Sequence, residues 1–176
     1  MFTFRWADAA DIPAIAVLMN RAISVLQKGF LSPAEIAASR SVMGLDTQLI
    51  ADGTYLLAER DGRLAGCGGW SARATLYGGD HSHALRDAAM LDPASDPARI
   101  RAMYVDPDFA RQGLGRAILA RCEAAARAAG FTSAEMMATL AGEPLYRACG
   151  YAPIEAIRSA PVEGVQVPLI RMGKPL

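Results

Sequence analysis

The stretch that most constrains this chain runs from Arg99 to Gly130, RIRAMYVDPDFARQGLGRAILARCEAAARAAG. RIRAMYV has the composition of a strand, and Asp106–Pro107 ends it, because proline cannot continue a ladder. Residues 114–129 then read as a helix. Leu114, Ile118, Cys122, Ala125 and Ala129 share one face, Glu123 precedes Arg127 by four residues, and Gly130 closes the last turn. Strand, glycine loop and helix in that order commit the chain to an α/β architecture. The loop asks for more than a connection. The first backbone N–H groups of a helix have no intrahelical partner and sit at the positive end of its dipole, which makes an anion site. Gly113 and Gly115 would let a phosphate approach that backbone, and Arg111 and Arg116 would add charge. The competing reading is that the glycines only let the helix pack closely on its strand. The segment is not a Walker loop, since no GK[ST] follows, and it lacks the third glycine of a dinucleotide fingerprint.

The rest of the chain is well punctuated. FTFRW alternates as a first strand. The following helix is capped by Asp8 or Asp11 and places Ile12, Ile15, Leu18, Met19 and Ile23 on one stripe. SPAEIAASRSVMG reads as a second helix, with Ser32 as cap, Pro33 at the first position, Glu35 three residues on and Gly44 as the stop. TYLLAER and RLAGCGGW flank Asp61–Gly62, a strong hairpin signal. Residues 71–98 carry little regular pattern, and such a length without structure suggests a lid or a substrate-binding loop. SAEMMATL is a strand, GEPLYRAC a short helix, and two strands near 151–158 and 165–173 finish the chain. The expected fold is one α/β domain over residues 1–176, with a mixed central sheet of about seven strands and helices on both faces.

Composition narrows the function classes. Hydrophobic residues make up 52% and charged residues 20%, which is globular, and 18 basic against 18 acidic residues lack the basic excess of a nucleic-acid binder. No apolar run is expected to span a membrane, and the acidic N-terminus does not read as a signal peptide. Cys67, Cys122 and Cys149 have neither the number nor the spacing for a disulfide framework or a zinc site. A reduced, cytoplasmic protein is the expectation.

Downstream of the glycine loop, past one strand, stands LYRACGY. YVDPDFARQGLGRAIL and LYRACGY together resemble the GNAT N-acetyltransferase superfamily. Its first motif, Q/R-x-x-G-x-G/A, holds the coenzyme A pyrophosphate, and the tyrosine of its Y-x-x-x-G-[FY] element lies near the thioester sulfur. The resemblance extends more loosely along the chain, through FRWADAADIPAI and YLLAERDGRLAGCGGW. Three positions depart from the pattern: Ala110 opens the first motif, Thr139 stands seven residues before the tyrosine where asparagine is common, and Arg99 occupies the place of a glutamate that often serves as general base.

The resemblance implies the GNAT fold and acetyl transfer from acetyl-CoA to a primary amine, with no metal. Met103, Tyr104 and Val105 would pair with the pantetheine arm as an added strand would. Arg111, Gln112, Gly113, Leu114, Gly115 and Arg116 would hold the pyrophosphate, and Thr139 and Tyr146 would lie near the thioester. Tyr146 would donate a hydrogen bond that strengthens as charge builds on sulfur; its bland alternative is packing under the last helix. The base is open between Glu135, on the strand face it shares with Met137 and Thr139, and His83 in the long loop, since imidazole suits proton transfer. Asp80, His81 and His83 are too few and too closely strung for a metal site. Arg5, Arg73, Arg99 and Arg101 could meet an acidic substrate group or be solvated, and Trp70 and Tyr77 could line an acceptor site or the core. The balanced charge and the long loop fit a small-molecule amine better than a histone-like tail. Homodimers are common in the family. The alternative is a non-catalytic acyl-CoA-binding sensor on the same fold; a different acyl donor or an oxygen acceptor is a third option.

Overall fold

A computed structural model describes all 176 residues. Seven strands form one sheet: β1 (Thr3–Trp6), β2 (Tyr55–Arg60), β3 (Arg63–Ser71), β4 (Ala98–Val105), β5 (Ser133–Thr139), β6 (Ala152–Arg158) and β7 (Pro168–Pro175). Their order across the sheet is β1-β2-β3-β4-β5-β7-β6. Only β4 and β5 run parallel, so the sheet is mixed, as the alternation of segments predicts. Asp61 and Gly62 both take positive φ, 54° and 73°, which is the twist-matching turn expected between β2 and β3.

Helix α1 (Ile12–Leu26) covers one face and α4 (Leu114–Ala128) the other. Strand alternation divides the core between them. Tyr55 and Leu57 of β2 join Ile15, Leu18, Met19 and Ile23 under α1, while Leu56 and Ala58 join Leu114, Ile118 and Cys122 under α4. Each large aliphatic side chain buried in this way contributes about 1.5–3 kcal/mol. Ile12 lies off the buried stripe of α1, and Ala125 and Ala129 lie off that of α4, where Leu119 and Ala126 take their place. Both N-terminal caps form: Asp8 with Asp11 ahead of α1, and Ser32 with Glu35 at α2 (Pro33–Val42). Against expectation, Ala9–Leu26 is long and apolar enough to cross a membrane. One stripe of it, Ile15, Leu18, Met19, Ala22 and Ile23, is buried against the sheet.

Two short helices complete the frame, α3 (Thr47–Ala51) and α5 (Glu143–Ala148). Between β3 and β4 the chain is irregular but pinned. It folds back on itself through Thr75 and Asp87 and through Ala72 and Leu91. Arg101 of β4, 3% exposed, clamps it by donating to the carbonyls of Thr75 and Gly78 and to Asp46, the cap of α3, over 3.1, 2.8 and 2.9 Å. Arg86 of the same segment reaches Asp46 and Asp80, each at 3.3 Å.

Candidate active site

The site begins where β4 leaves β5. These strands pair only at Ala98–Ala134 and Arg99–Glu135. Beyond Arg99, β4 bends away, and its register against β3 slips between Cys67 and Gly69. Ala102 sits in this bulge with φ +49°, a conformation that costs a non-glycine residue about 1–2 kcal/mol. On β3, Gly68 leaves room for the result: a Cβ there would overlap Met103 Sδ. Beyond Arg99 no strand pairs with the β5 side of β4, which is left as a sheet edge. Met103, Tyr104 and Val105 therefore line an open cleft.

The cleft has two compartments. The larger, about 710 Å³, is within the usual range for a small-molecule site. It runs from Arg111, Gly113, Leu114, Gly115 and Arg116 past Leu145 and Val105, with Gln27 and Phe30 of the α1–α2 side on its far wall. The smaller, about 90 Å³, lies between the residue 72–97 segment, the end of α2, and β4, β5 and β7. They meet at Met43, Met103, Tyr104, Thr139 and Tyr146, which line both.

The two loop glycines have different reasons. Gly113 caps α4 in the left-handed region, φ +79°, with open space where a Cβ would be. Gly115 has ordinary helical backbone, but a Cβ would stand 2.9 Å from Leu145 of α5. Gly113 is thus needed for its backbone conformation, and Gly115 for the close approach of α5 rather than of the strand before the loop. Arg111 also has positive φ, 63°, and such strain collects at ligand sites. Neither Arg111 nor Arg116 enters an ion pair within the protein, and both line the large compartment around the start of α4. An anionic pyrophosphate fits this cradle, and a pantetheine arm fits the unpaired edge of β4.

Tyr146, 8% exposed, packs edge-on against Tyr151 at 6.2 Å and lines both compartments. Burial pushes the phenols of Tyr146 and Tyr104 well above their usual range, so both stay protonated donors. Thr139 accepts from the Gly142 N–H at 3.1 Å and so fixes the entry to α5.

Three residues expected at the site are elsewhere. Glu135 shares a strand face with Met137 and Thr139, but it lies at the closed end of the splay, in register with Arg99. One carboxylate oxygen accepts from Arg99 at 2.8 Å and from Arg171 at 2.9 and 2.7 Å, so it serves as the hub of a partly buried ion cluster and lines neither compartment. His83 is exposed on a short turn, Ser82 preceding it, away from both linings. The Gln112 side chain turns away from the cradle and bridges Arg60, 2.9 Å, and the Asp108 carbonyl, 3.3 Å. Nearby, His81 Nε2 stands 2.9 Å from the Ser41 carbonyl oxygen, and Asp80 accepts from the Thr47 N–H. Arg5 and Arg73 are held by protein carboxylates, Trp70 packs on Phe131 in the core, and Tyr77 does line the small compartment. Gln27, Phe30 and Met43 went unmarked in the sequence. Nothing in the local pattern distinguishes a helix end that walls a cleft from one that faces solvent.

The model of the Acetyltransferase (GNAT) family matches residues 21–151, and the chain belongs to that family. Membership makes it an acetyltransferase of the GNAT type. Solved structures agree on the fold. A GCN5-related N-acetyltransferase from Rhodopseudomonas palustris superposes with a TM-score of 0.70 at 17% identity, covering 99% of this chain and 95% of the other. A ribosomal-protein-alanine N-acetyltransferase from Brucella melitensis gives 0.66 at 18%, covering 99% of each. A phosphinothricin acetyltransferase from Sinorhizobium meliloti, in complex with acetyl-CoA, gives 0.65 at 20%, covering 99% and 88%. No curated protein sequence gives a match.

Proposed function

We propose that this enzyme acetylates the primary amine of a small molecule, with the acyl donor held in the large compartment and the acceptor in the small one. The observation that carries this is the junction at Tyr146, where the two compartments meet beside the unpaired edge of β4. Acetyl-CoA supplies the transferable acetyl group. Gly113, Leu114, Gly115 and Arg116, with Arg111, hold its pyrophosphate. The backbone of Met103 to Val105 orients the pantetheine arm, and the Tyr146 hydroxyl, kept protonated by burial, donates to the sulfur as negative charge gathers there.

Deprotonating the acceptor falls to its surroundings. An ammonium with pKa about 10.4 costs roughly 4–5 kcal/mol to deprotonate at pH 7. No aspartate, glutamate or histidine lines either compartment, whereas Arg101, Arg111 and Arg116 do. With no carboxylate in the lining to stabilise an ammonium, burial favours the neutral amine, which is the nucleophile. A small acceptor, rather than a protein chain, is supported by the 72–97 segment, which Arg101 and Arg86 hold as a wall across the small compartment.

The lack of a lining base also favours the alternative of a non-catalytic acyl-CoA sensor, and one pair of experiments separates the two. Acetyl-CoA at about a hundred times its Kd should stabilise the fold by roughly 2.7 kcal/mol, or about 5–10 °C for a domain of this size. Adenosine should not. Thiol release with an amine panel then reports turnover. A melt shift without thiol release from any amine would favour the sensor.

A further inference from the structure

The small compartment has an unusual lining for a site that must receive an amine, which is ordinarily a cation. Val42, Leu76, Met137 and Leu169 give it apolar wall, the hydroxyl-bearing Tyr104 and Thr139 line it as well, and Tyr77 closes the loop side. The one charged side chain there is Arg101. Its sign is wrong for an ammonium, and its terminal nitrogens already serve Asp46, Thr75 and Gly78. Asp46 in turn is 3% exposed and is spent on Arg101, Arg86 and the Gln48 N–H. A second ammonium on the acceptor would therefore meet no counter-ion. A carboxylate beside the amine would meet a guanidinium whose charge Asp46 already balances at 2.9 Å. At about 90 Å³ the compartment is smaller than a cavity of roughly 150 Å³ that takes benzene. It suits a group smaller than a phenyl ring, and its methionines can adjust to the shape.

Resting on the acetyltransferase assignment above, we propose that the acceptor is a short, apolar primary amine with no second charged group, engaged as the free base. The neutral amine's lone pair attacks the thioester carbonyl carbon, the bond from that carbon to sulfur breaks, and the amine's surplus proton leaves with the thiol or to water. The products are an N-alkylacetamide and free coenzyme A. Branched alkylamines of about the size of a valine or leucine side chain fill the compartment while leaving the nitrogen at the junction with Tyr146.

The test uses the full chain with saturating acetyl-CoA and reads thiol release. Isobutylamine and isoamylamine should give a kcat/KM at least tenfold above 1,4-diaminobutane, lysine and leucine at the same pH. Met137→Glu, which places a carboxylate in the wall, should move preference toward 1,4-diaminobutane by about tenfold while the acetyl-CoA melt shift is kept. A diamine or an amino acid as the preferred acceptor would overturn the proposal, as would a melt shift with no turnover of either alkylamine. Absence of any melt shift would instead remove the assigned donor site, and the proposal with it.

Discussion

The Tyr55 hydroxyl, wholly buried on β2, donates to the carbonyl oxygen of Ala102 over 2.9 Å and so fastens the bulge that opens β4 away from β5. Cys67 Sγ lies 3.2 Å from the same hydroxyl oxygen. The phenol has one hydrogen, given to Ala102, so the thiol is the donor in that second contact. Burial pushes Cys67 up to about 12, which keeps its hydrogen in place. Two buried side chains, from β2 and β3, thus hold Ala102, the left-handed residue of the β4 bulge.

Tyr55→Phe removes that donor and little volume. It leaves a buried carbonyl unpaired at a strained residue, a cost of about 1–3 kcal/mol. Thermal unfolding should fall by about 2–12 °C. KM for acetyl-CoA should rise as well, because the bulge aims the backbone of Met103. A variant with unchanged melting temperature and unchanged KM would show that the bulge does not need its fastening.

The glycines of the loop should fail in different ways. Gly113→Ala meets no neighbour but must hold φ near +79°, so it costs about 1–2 kcal/mol and raises KM for acetyl-CoA. Gly113→Asn, which tolerates that conformation better, should recover part of the loss. Gly115→Ala keeps ordinary helical backbone but presses on Leu145, the neighbour of Tyr146, so its main effect should be on kcat. Steady-state kinetics on the three variants separates the two defects. The same effect from both alanines would argue against distinct roles.

Much of this arrangement is local and therefore legible in the sequence. The caps at Asp8 and Ser32, the Asp61–Gly62 turn and the buried face of α4 depend on residues within a turn or two of each other. The face assignment on β5 is right too, since burial alternates along the strand between Glu135, Met137 and Thr139 on one side and Ala134, Met136 and Ala138 on the other. What fails is position along that face. Glu135 stands two residues before Met137, still inside the paired part of β4 and β5, and its arginines come from strands 36 residues away in either direction. Arg101 and Asp46 are 55 residues apart. Pairings of this kind follow from sheet register, and register depends on how distant strands align rather than on local pattern.

The Arg101–Asp46 pair, with both side chains 3% exposed, should show strong coupling. Asp46→Ala strands a buried guanidinium and removes the cap of α3, and breaking such a pair costs about 3–5 kcal/mol. Arg101→Leu also releases the Thr75 and Gly78 carbonyls and loosens the 72–97 segment. The double variant should lose clearly less than the sum of the single losses, measured by denaturant unfolding as a double-mutant cycle. Simple additivity would mean that the two side chains do not depend on each other.

The pH dependence of catalysis tests whether the protein supplies a base at all. The charged and titratable groups facing the acceptor are Arg101 from β4, with Asp46 and Arg86 behind it, Tyr77 from the loop, Tyr104, and Tyr146 from α5; Arg111 and Arg116 face the donor. Burial raises the phenols of Tyr77, Tyr104 and Tyr146 above their usual range, so none of them loses its proton near neutral pH. The group that changes charge over about pH 6–9 is then the acceptor amine, whose pKa in water is near 10. As pH rises toward that value the neutral fraction grows tenfold per unit. The logarithm of kcat/KM should therefore climb with a slope near one, without a plateau close to neutrality. His83→Gln should leave the profile where it is, and Tyr146→Phe should lower kcat at every pH without changing the slope. An imidazole-type inflection that disappears in His83→Gln would place the base in the loop after all and would require the 72–97 segment to move during turnover.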